Sequence, residues 1–346
     1  MNCSVIIFSY NNPVGLRKSL DSLLNQIVLP NEIYIIDNSK EFNSEVNEID
    51  NSIIHYVYNG HENAKYSFSV ARNKGLALLT GEFIILAEDD AYYAPTFIQA
   101  INKQFKLGTD IICYRILPNP EFKDPNWIKV ENSGKVDFDF GLIDLGEIEK
   151  NITSKVIFNS FAFRKEHYLK CRGWGADCLL DQYFYYNSGG ENTLRDNLII
   201  AGAKKFTYEP NALMIHDKRE TRLNNRYFFN RYTYWGAEEA YNFLRRNEIK
   251  RTFLFLVIKN LISIIFKLKK QQITQDSFEK RELLILIKRF SYYTIIFHFI
   301  LFKKYRDIMK ENWDRDWKSF DYTKMKELNL LWFLNYKLYL NGKNYI

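Results

Sequence analysis

Residues 81–95 read GEFIILAEDDAYYAP. The apolar run Phe83–Ala87 has the length of one strand buried on both faces, with a glycine just before it. It ends in three consecutive carboxylates, Glu88, Asp89 and Asp90. Two like charges about 4 Å apart, at an effective dielectric near 20, repel by up to roughly 4 kcal/mol. A core strand that delivers three carboxylates to its tip therefore needs compensation. A divalent cation supplies it, with one or two protein carboxylates as ligands and phosphate or water completing the shell. An acidic turn that caps the next helix is the alternative.

Working outward, Ser4–Phe8 reads as a buried strand and Pro13–Gln26 as a helix opened by proline, with Leu16, Leu20, Leu23 and Leu24 at helical spacing. Glu32–Ile36 is a second strand ending at Asp37, Ile53–Val57 a third, Ser67–Leu79 a helix closed by Gly81, and Thr96–Phe105 the helix after the acidic strand. This β-α-β-β-α-β order predicts an α/β fold with a mostly parallel sheet flanked by helices. Such sheets bind ligands at the carboxyl ends of their strands. Those ends carry Ser9-Tyr10-Asn11-Asn12, Asp37-Asn38-Ser39 and Glu88-Asp89-Asp90. No G-x-G-x-x-G follows the first strand and no phosphate loop of the G-x-x-x-x-G-K-[ST] type occurs. Residues 117–150, with Pro118, Pro120 and Pro125, read as an irregular insertion. Beyond it Val156–Phe163 reads as ordered, a helix starts near Lys165, Glu191–Ala201 is a helix, and Phe206–Tyr208 and Ala212–Ile215 are short strands, the second running into His216.

Asp37-Asn38-Ser39 is good turn chemistry. Asp37 beside Asn11 and Asn12 also suits hydrogen bonding to a nucleoside. His216 suits either a buried histidine with satisfied nitrogens or a metal ligand. His55, His61, His167 and His298 carry no such context.

The segments, taken in order, resemble the family 2 glycosyltransferases. SVIIFSYNNPVGLRKSLDSLLNQ is similar to that family's opening strand and helix, YIIDNSK to its second-strand nucleotide site, and ARNKGLALLTGEFIILAEDDAYYAP to the central segment with the D-x-D metal motif. NSFAFRKEHYLKCRGWGAD and YYNSGGENTLRDNLIIAG continue the match, the latter resembling a G-G-E-D segment, so the resemblance covers roughly residues 3–240. It implies a GT-A fold, a divalent cation (Mn²⁺ or Mg²⁺), a nucleotide-diphospho-sugar donor and a glycan or lipid-linked acceptor. It places Asp90 and His216 on the metal. Glu88 stands beside them, where the motif's first Asp would be. Ser9, Asn11, Asn12, Asp37, Arg72 and Asp89 fall on the nucleotide side. The last Asp of G-G-E-D, the base in many members, is Asn192 here and cannot accept a proton. Glu191 is the nearest carboxylate and the expected base, with Asp177 and Asp181 as upstream alternatives.

The chain has 346 residues, 47% of them hydrophobic, enough for a large core and two domains: a catalytic region over 1–240 and a helical one over 241–346. Cys3, Cys113, Cys171 and Cys178 form no C-x-x-C and suit a reducing compartment. The N-terminus lacks a basic, long-apolar leader pattern, which predicts a cytoplasmic protein or one on the cytoplasmic face of a membrane. The net charge of +7 is uneven, with 22 Lys/Arg against 10 Asp/Glu after Ala240. A charge confined to one third of the chain argues against a nucleic-acid partner and for one acidic surface. The aromatic, Arg-rich stretch 216–235 reads as a loop over a sugar diphosphate, with Lys218 and Arg219 near phosphate, followed by a helix.

Two apolar stretches follow. Phe253–Phe266 is too short to span a bilayer and carries Lys259, with Ser263, Lys267 and Lys270 on one stripe. Phe290–Phe302 has Ser291, Thr294 and His298 on one side, then Lys303, Lys304 and Arg306. Both suit helices lying in a membrane interface, or a helical core. The expected function is inverting, metal-dependent glycosyl transfer in cell-surface polysaccharide synthesis. The other reading, which Asn192 supports, is a non-catalytic subunit that keeps the fold and tethers partners at the membrane.

Overall fold

In the structure, a computed structural model, residues 2–60, 68–121, 135–137, 141–157, 160–175, 190–217, 225–271, 277–313 and 315–319 are described. The expected alternation holds at the N-terminal end: β1 (Cys3–Ser9), α1 (Pro13–Leu24), β2 (Glu32–Asp37), a short α2 (Ser44–Asn47), β3 (Ile54–Tyr58), α3 (Phe68–Leu78), β4 (Phe83–Glu88), β5 (Ala91–Tyr93) and α4 (Phe97–Lys106). Next come β6 (Ile111–Pro118), β7 (Lys135–Asp137), β8 (Leu142–Asp144), β9 (Lys150–Asn151), β10 (Phe161–Arg164), α5 (Lys165–Lys170), α6 (Gly190–Ile200) and β11 (Phe206–His216).

The central sheet runs β3-β2-β1-β4-β10-β6-β11-β5. Its first four strands are mutually parallel, and β10 then joins β4 to β6 antiparallel to both. The result is a mixed sheet, parallel where β-α-β connections feed it. β1 and β4 are buried almost throughout, which is why they read as unbroken apolar runs.

Two details add to the sequence reading and one corrects it. Ile111–Pro118, to which the sequence reading assigns no element, is a core strand whose Tyr114 is fully buried. Phe206–His216 is one strand with a register shift between Glu209 and Leu213, because Pro210 has no N–H to give the ladder. In the stretch read as ordered from Val156 to Phe163, a 3-10 turn over Ser154–Val156 comes first and strand pairing begins at Phe161. Within 117–150, β8 pairs with both β6 and β7, and Arg115 Nε binds Asp144 Oδ1 at 3.0 Å. Much of the remaining insertion lies outside the described residues.

The C-terminal helices are α7 (Asn225–Arg246), α8 (Phe253–Gln271), α9 (Ser277–Leu301) and α10 (Lys303–Trp313). Phe228 and Tyr232 of α7 and Leu284 and Ile287 of α9 belong to the same buried cluster as the sheet. α7 and α9 cross at Gly236, where a Cβ would lie 2.0 Å from the Lys288 carbonyl oxygen. The stripe Ser291, Thr294 and His298 does not face an interface. All three are buried: Ser291 Oγ donates to Thr233 O at 2.7 Å and Thr294 Oγ1 to Phe290 O at 2.8 Å, so α9 is a core helix.

Candidate functional site

Strand register assembles the site. Ser9 lies opposite Asp37 in the β1–β2 ladder, and Phe8 opposite Glu88 in the β1–β4 ladder. The polar clusters at the ends of β1, β2 and β4 therefore meet at one edge. β11 approaches from the other side, with His216 paired to Ala91 of β5.

The turn from β4 into β5 divides the acidic triplet. Glu88 and Asp90 face His216, whose Nε2 is 3.4 Å from Glu88 Oε2 and 3.4 Å from Asp90 Oδ1. One ligand atom from each lies within 4.8 Å of the others. Asp89 turns the opposite way. Its Oδ2 accepts from Ser9 Oγ and from Tyr10 N, both at 3.0 Å, and its carbonyl oxygen accepts from Asn12 Nδ2 at 2.6 Å. Asn12 also caps α1 through Oδ1, which accepts from Gly15 N. A Cβ on Gly15 would meet the Asp89 carbonyl oxygen at 2.4 Å, so glycine lets α1 start against the acidic tip.

Asp37 is satisfied from within. Oδ1 accepts from Ser39 N at 2.9 Å and from Ser39 Oγ, while Oδ2 accepts from Tyr56 Oη at 2.7 Å. Burial, with the Asp37 carboxylate adding to it, keeps the Tyr56 hydroxyl protonated far above the usual phenol range. Ser39 Oγ in turn accepts from Asn11 N at 2.8 Å, and Asn11 Oδ1 accepts from Lys40 N at 3.0 Å. Asn11 sits at φ 48°, a left-handed conformation that asparagine tolerates better than most residues.

Ser160 Oγ donates to Glu88 Oε1 at 2.6 Å. Burial, reinforced by the Asp90 and Glu191 charges, raises the Glu88 carboxyl above its usual range even though His216 and Ser160 oppose it. Next to His216, Asp217 is bound by Lys18 Nζ and Asn119 Nδ2, each at 2.8 Å. These donors outweigh its partial burial and pull it below the usual carboxylate range.

Two carboxylates and an imidazole are a suitable donor set for a divalent cation. On an octahedral ion with bonds of about 2.1 Å, neighbouring donors are about 3.0 Å apart. The 3.4 Å separations need only a slight closure.

Glu191, at the start of α6, forms an ion pair with Arg72, with 2.9 Å between Oε1 and Nη2. Arg72 also lies over Trp174, 4.3 Å from the ring centroid, and near Phe8. The expected base and the expected nucleotide-side arginine are thus joined, on the side of the site where the Glu191 charge acts on Glu88. Asn192 is locked from both sides: Nδ2 donates to Glu238 Oε1, and Oδ1 accepts from Arg195 Nη1 at 2.6 Å. An Asp there could not donate to Glu238, so the exchange fits its neighbours. Asp177, Asp181, Lys218 and Arg219 lie outside the described residues.

Ser160, Tyr56, Trp174, Asp217 and Glu238 were not named from the sequence. Only Asp217 carries a signal there, as the neighbour of His216; the others depend on long-range packing.

The mixed sheet, with an acid-rich tip beside its first strand, has the architecture of a GT-A type fold. Residues 4–171, just under half of the chain, match the model of Glycosyl transferase family 2. Over 106 residues it is 28% identical to the uncharacterized glycosyltransferase YwdF of Bacillus subtilis (strain 168), covering 31% of this chain and 39% of that one. The chain thus spans well under half the length of that relative. Among solved structures, S. aureus TarS 1-349 in complex with UDP-GlcNAc is 14% identical with a TM-score of 0.50, covering 92% of this chain and 88% of that one. S. aureus TarS 1-349 alone is 13% identical with a TM-score of 0.46, covering 92% and 80%. The likeness is one of fold: a GT-A type α/β sheet flanked by helices.

Proposed function

We propose that the protein is an inverting, metal-dependent glycosyltransferase. It moves a sugar from a nucleotide-diphosphate donor to a hydroxyl of a glycan or lipid-linked acceptor, at the cytoplasmic face of a membrane, in cell-surface polysaccharide synthesis. The convergence of Glu88, Asp90 and His216 at the tip of β4 carries this reading. These three would hold a divalent cation, Mn²⁺ or Mg²⁺, which when bound supplies positive charge to the leaving diphosphate.

This chain's residues do the rest. Ser9, Asn11, Asn12 and Asp37 form the edge against which the nucleoside lies. Asp37 and Asp89 act there mainly as positioning residues, since their oxygens already hold Ser39, Tyr56, Ser9 and the Tyr10 amide. Arg72, clamped by Trp174, sits on the diphosphate side. Glu191 takes the acceptor's proton as its oxygen bonds to the anomeric carbon and the sugar–phosphate bond breaks. To do so Glu191 must exchange the Arg72 ion pair for the acceptor hydroxyl, so acceptor entry and base release are coupled.

A thermal-shift screen of nucleoside diphosphates, with and without Mn²⁺, tests the donor reading. Uridine diphosphate comes first, since TarS structures hold UDP and UDP-GlcNAc. The expected result is stabilisation by one nucleotide that depends on the cation and disappears in Asp90→Ala. No shift with any nucleotide would overturn the donor site. Nucleotide binding without transfer to any acceptor would favour the non-catalytic reading that the locked Asn192 supports.

A further inference from the structure

The apolar stretches of α8 and α9 look alike in sequence and are treated oppositely by the fold. Glu282–Leu301 is the one described segment long and apolar enough to cross a bilayer, and it is 61% buried inside the protein. α8 is different. Val257, Ile264 and Leu268 are buried, in the apolar clusters that also hold Ile295, Ile296, Leu286 and Phe290 of α9. On the opposite face Phe255 is 78% exposed and Phe266 68%, with Ile258 and Ile262 between them also exposed. Their spacing of three and four residues puts all four on one stripe.

Charge identifies what meets this stripe. α8 contains Lys259, Lys267, Lys269 and Lys270 and no acidic residue. Lys259 and Lys267 are both exposed, Lys259 next to the stripe and Lys267 further round on the same side, and neither has an ion-pair partner among the described residues. Lys250 and Arg251 are exposed just before the helix begins. A second copy docking face to face would bring lysines against lysines with no carboxylate between them. Anionic headgroups would pair with the lysines while the acyl boundary takes the phenylalanines and isoleucines.

We infer that the outer face of α8, built on Phe255, Ile258, Ile262 and Phe266 and flanked by Lys259 and Lys267, is a docking surface for an anionic lipid bilayer, the helix lying in the interface and not crossing it. The inference names the face for the membrane setting proposed above and does not depend on glycosyl transfer. α9 offers no comparable stripe, because most of its apolar window is buried and its exposed Ile285 and Leu301 lie far apart along the helix.

The test is flotation of the purified full chain with phosphatidylcholine vesicles, with and without phosphatidylglycerol, alongside nucleotide thermal shifts on the same samples. Binding is expected only with the anionic lipid. Each lysine near such a surface contributes about fivefold in affinity, so Lys259→Glu with Lys267→Glu should weaken binding by at least about 25-fold. Phe255→Ser with Phe266→Ser should abolish it, leaving melting temperature and nucleotide shifts at wild-type values. The inference is overturned if the wild type floats with neither vesicle, or if it floats with both and the lysine variant is unaffected. It is also overturned if light scattering shows an oligomer that the phenylalanine variant dissociates, which would make the face a self-association surface. Nucleotide shifts read the catalytic site separately, so the two proposals fail independently.

Discussion

The tips of β2 and β4 stand two strands apart in one sheet and both present buried carboxylates, yet the protein satisfies them in different ways. Asp37 at the end of β2 has three donors from its own chain, Ser39 N, Ser39 Oγ and Tyr56 Oη. Glu88 and Asp90 at the end of β4 face each other across His216, and Ser160 is the one hydroxyl donating to a Glu88 oxygen in the described bonds. Asp89, between them in sequence, belongs with Asp37: Ser9 and the Tyr10 amide hold it. Charge at one tip is used to build the fold. At the other, two carboxylates converge on one imidazole, an arrangement that could hold a cation.

Replacing a carboxylate at each tip breaks the comparison most sharply. Asp90→Ala should lower transfer by roughly 10³-fold or more, about 4 kcal/mol in the barrier, as expected for loss of a charge-stabilising ligand. The metal-free fold should lose less stability than with Asp37→Ala, since relief of like-charge repulsion with Glu88 offsets the lost His216 contact. Activity in a purified assay and urea unfolding in chelator read the two halves. Activity near wild type would remove the metal assignment.

Asp37→Ala should reverse the pattern. It strands the Tyr56 hydroxyl and the Ser39 amide, and each hydrogen bond to a charged group is worth about 1.5–3 kcal/mol, so unfolding should become easier by about 3 kcal/mol. Denaturant melts measure it, and a loss under about 0.5 kcal/mol would show that Asp37 is no keystone of the turn. Asp89→Asn is the intermediate case. It retains a polar group of the same shape, so the cost should be about 1–2 kcal/mol with weakened nucleotide binding, read by melting and by thermal shift together.

The smallest effect is one of pH. Burial places Glu88's folded carboxyl above its unfolded value of about 4.3. Its contribution to stability is therefore fully present below that value and is lost as pH rises through the folded pKa. In chelator, Glu88→Gln should flatten stability on the alkaline side of about pH 4.3 relative to wild type, and saturating Mn²⁺ should flatten the wild type as well. Identical pH profiles for the two proteins would place Glu88 in water.

Some of this was legible from residues alone. The strand runs at Ser4–Phe8, Glu32–Ile36 and Phe83–Ala87 and the leucine-spaced helix after Pro13 were readable because a β-α-β unit writes its burial pattern locally. The meeting of Glu88, Asp90 and His216 was anticipated only through a family resemblance, since 126 positions separate Asp90 from His216. The partners that decide each carboxylate's role were not visible. Ser160 is 72 positions from Glu88, and Glu238 is 46 from Asn192.

By itself the sequence determined that a buried strand would carry three carboxylates to the ligand edge of an α/β sheet, and that two greasy, lysine-flanked stretches would follow. Tertiary structure decided which carboxylates bond the neighbouring loops and which face His216, and which stretch is mostly core and which keeps an exposed apolar face. The physical reason is the same in both cases. Periodicity fixes which side of an element a residue is on, while only long-range packing supplies the neighbour that waits there, whether a hydrogen-bond donor, another helix or solvent.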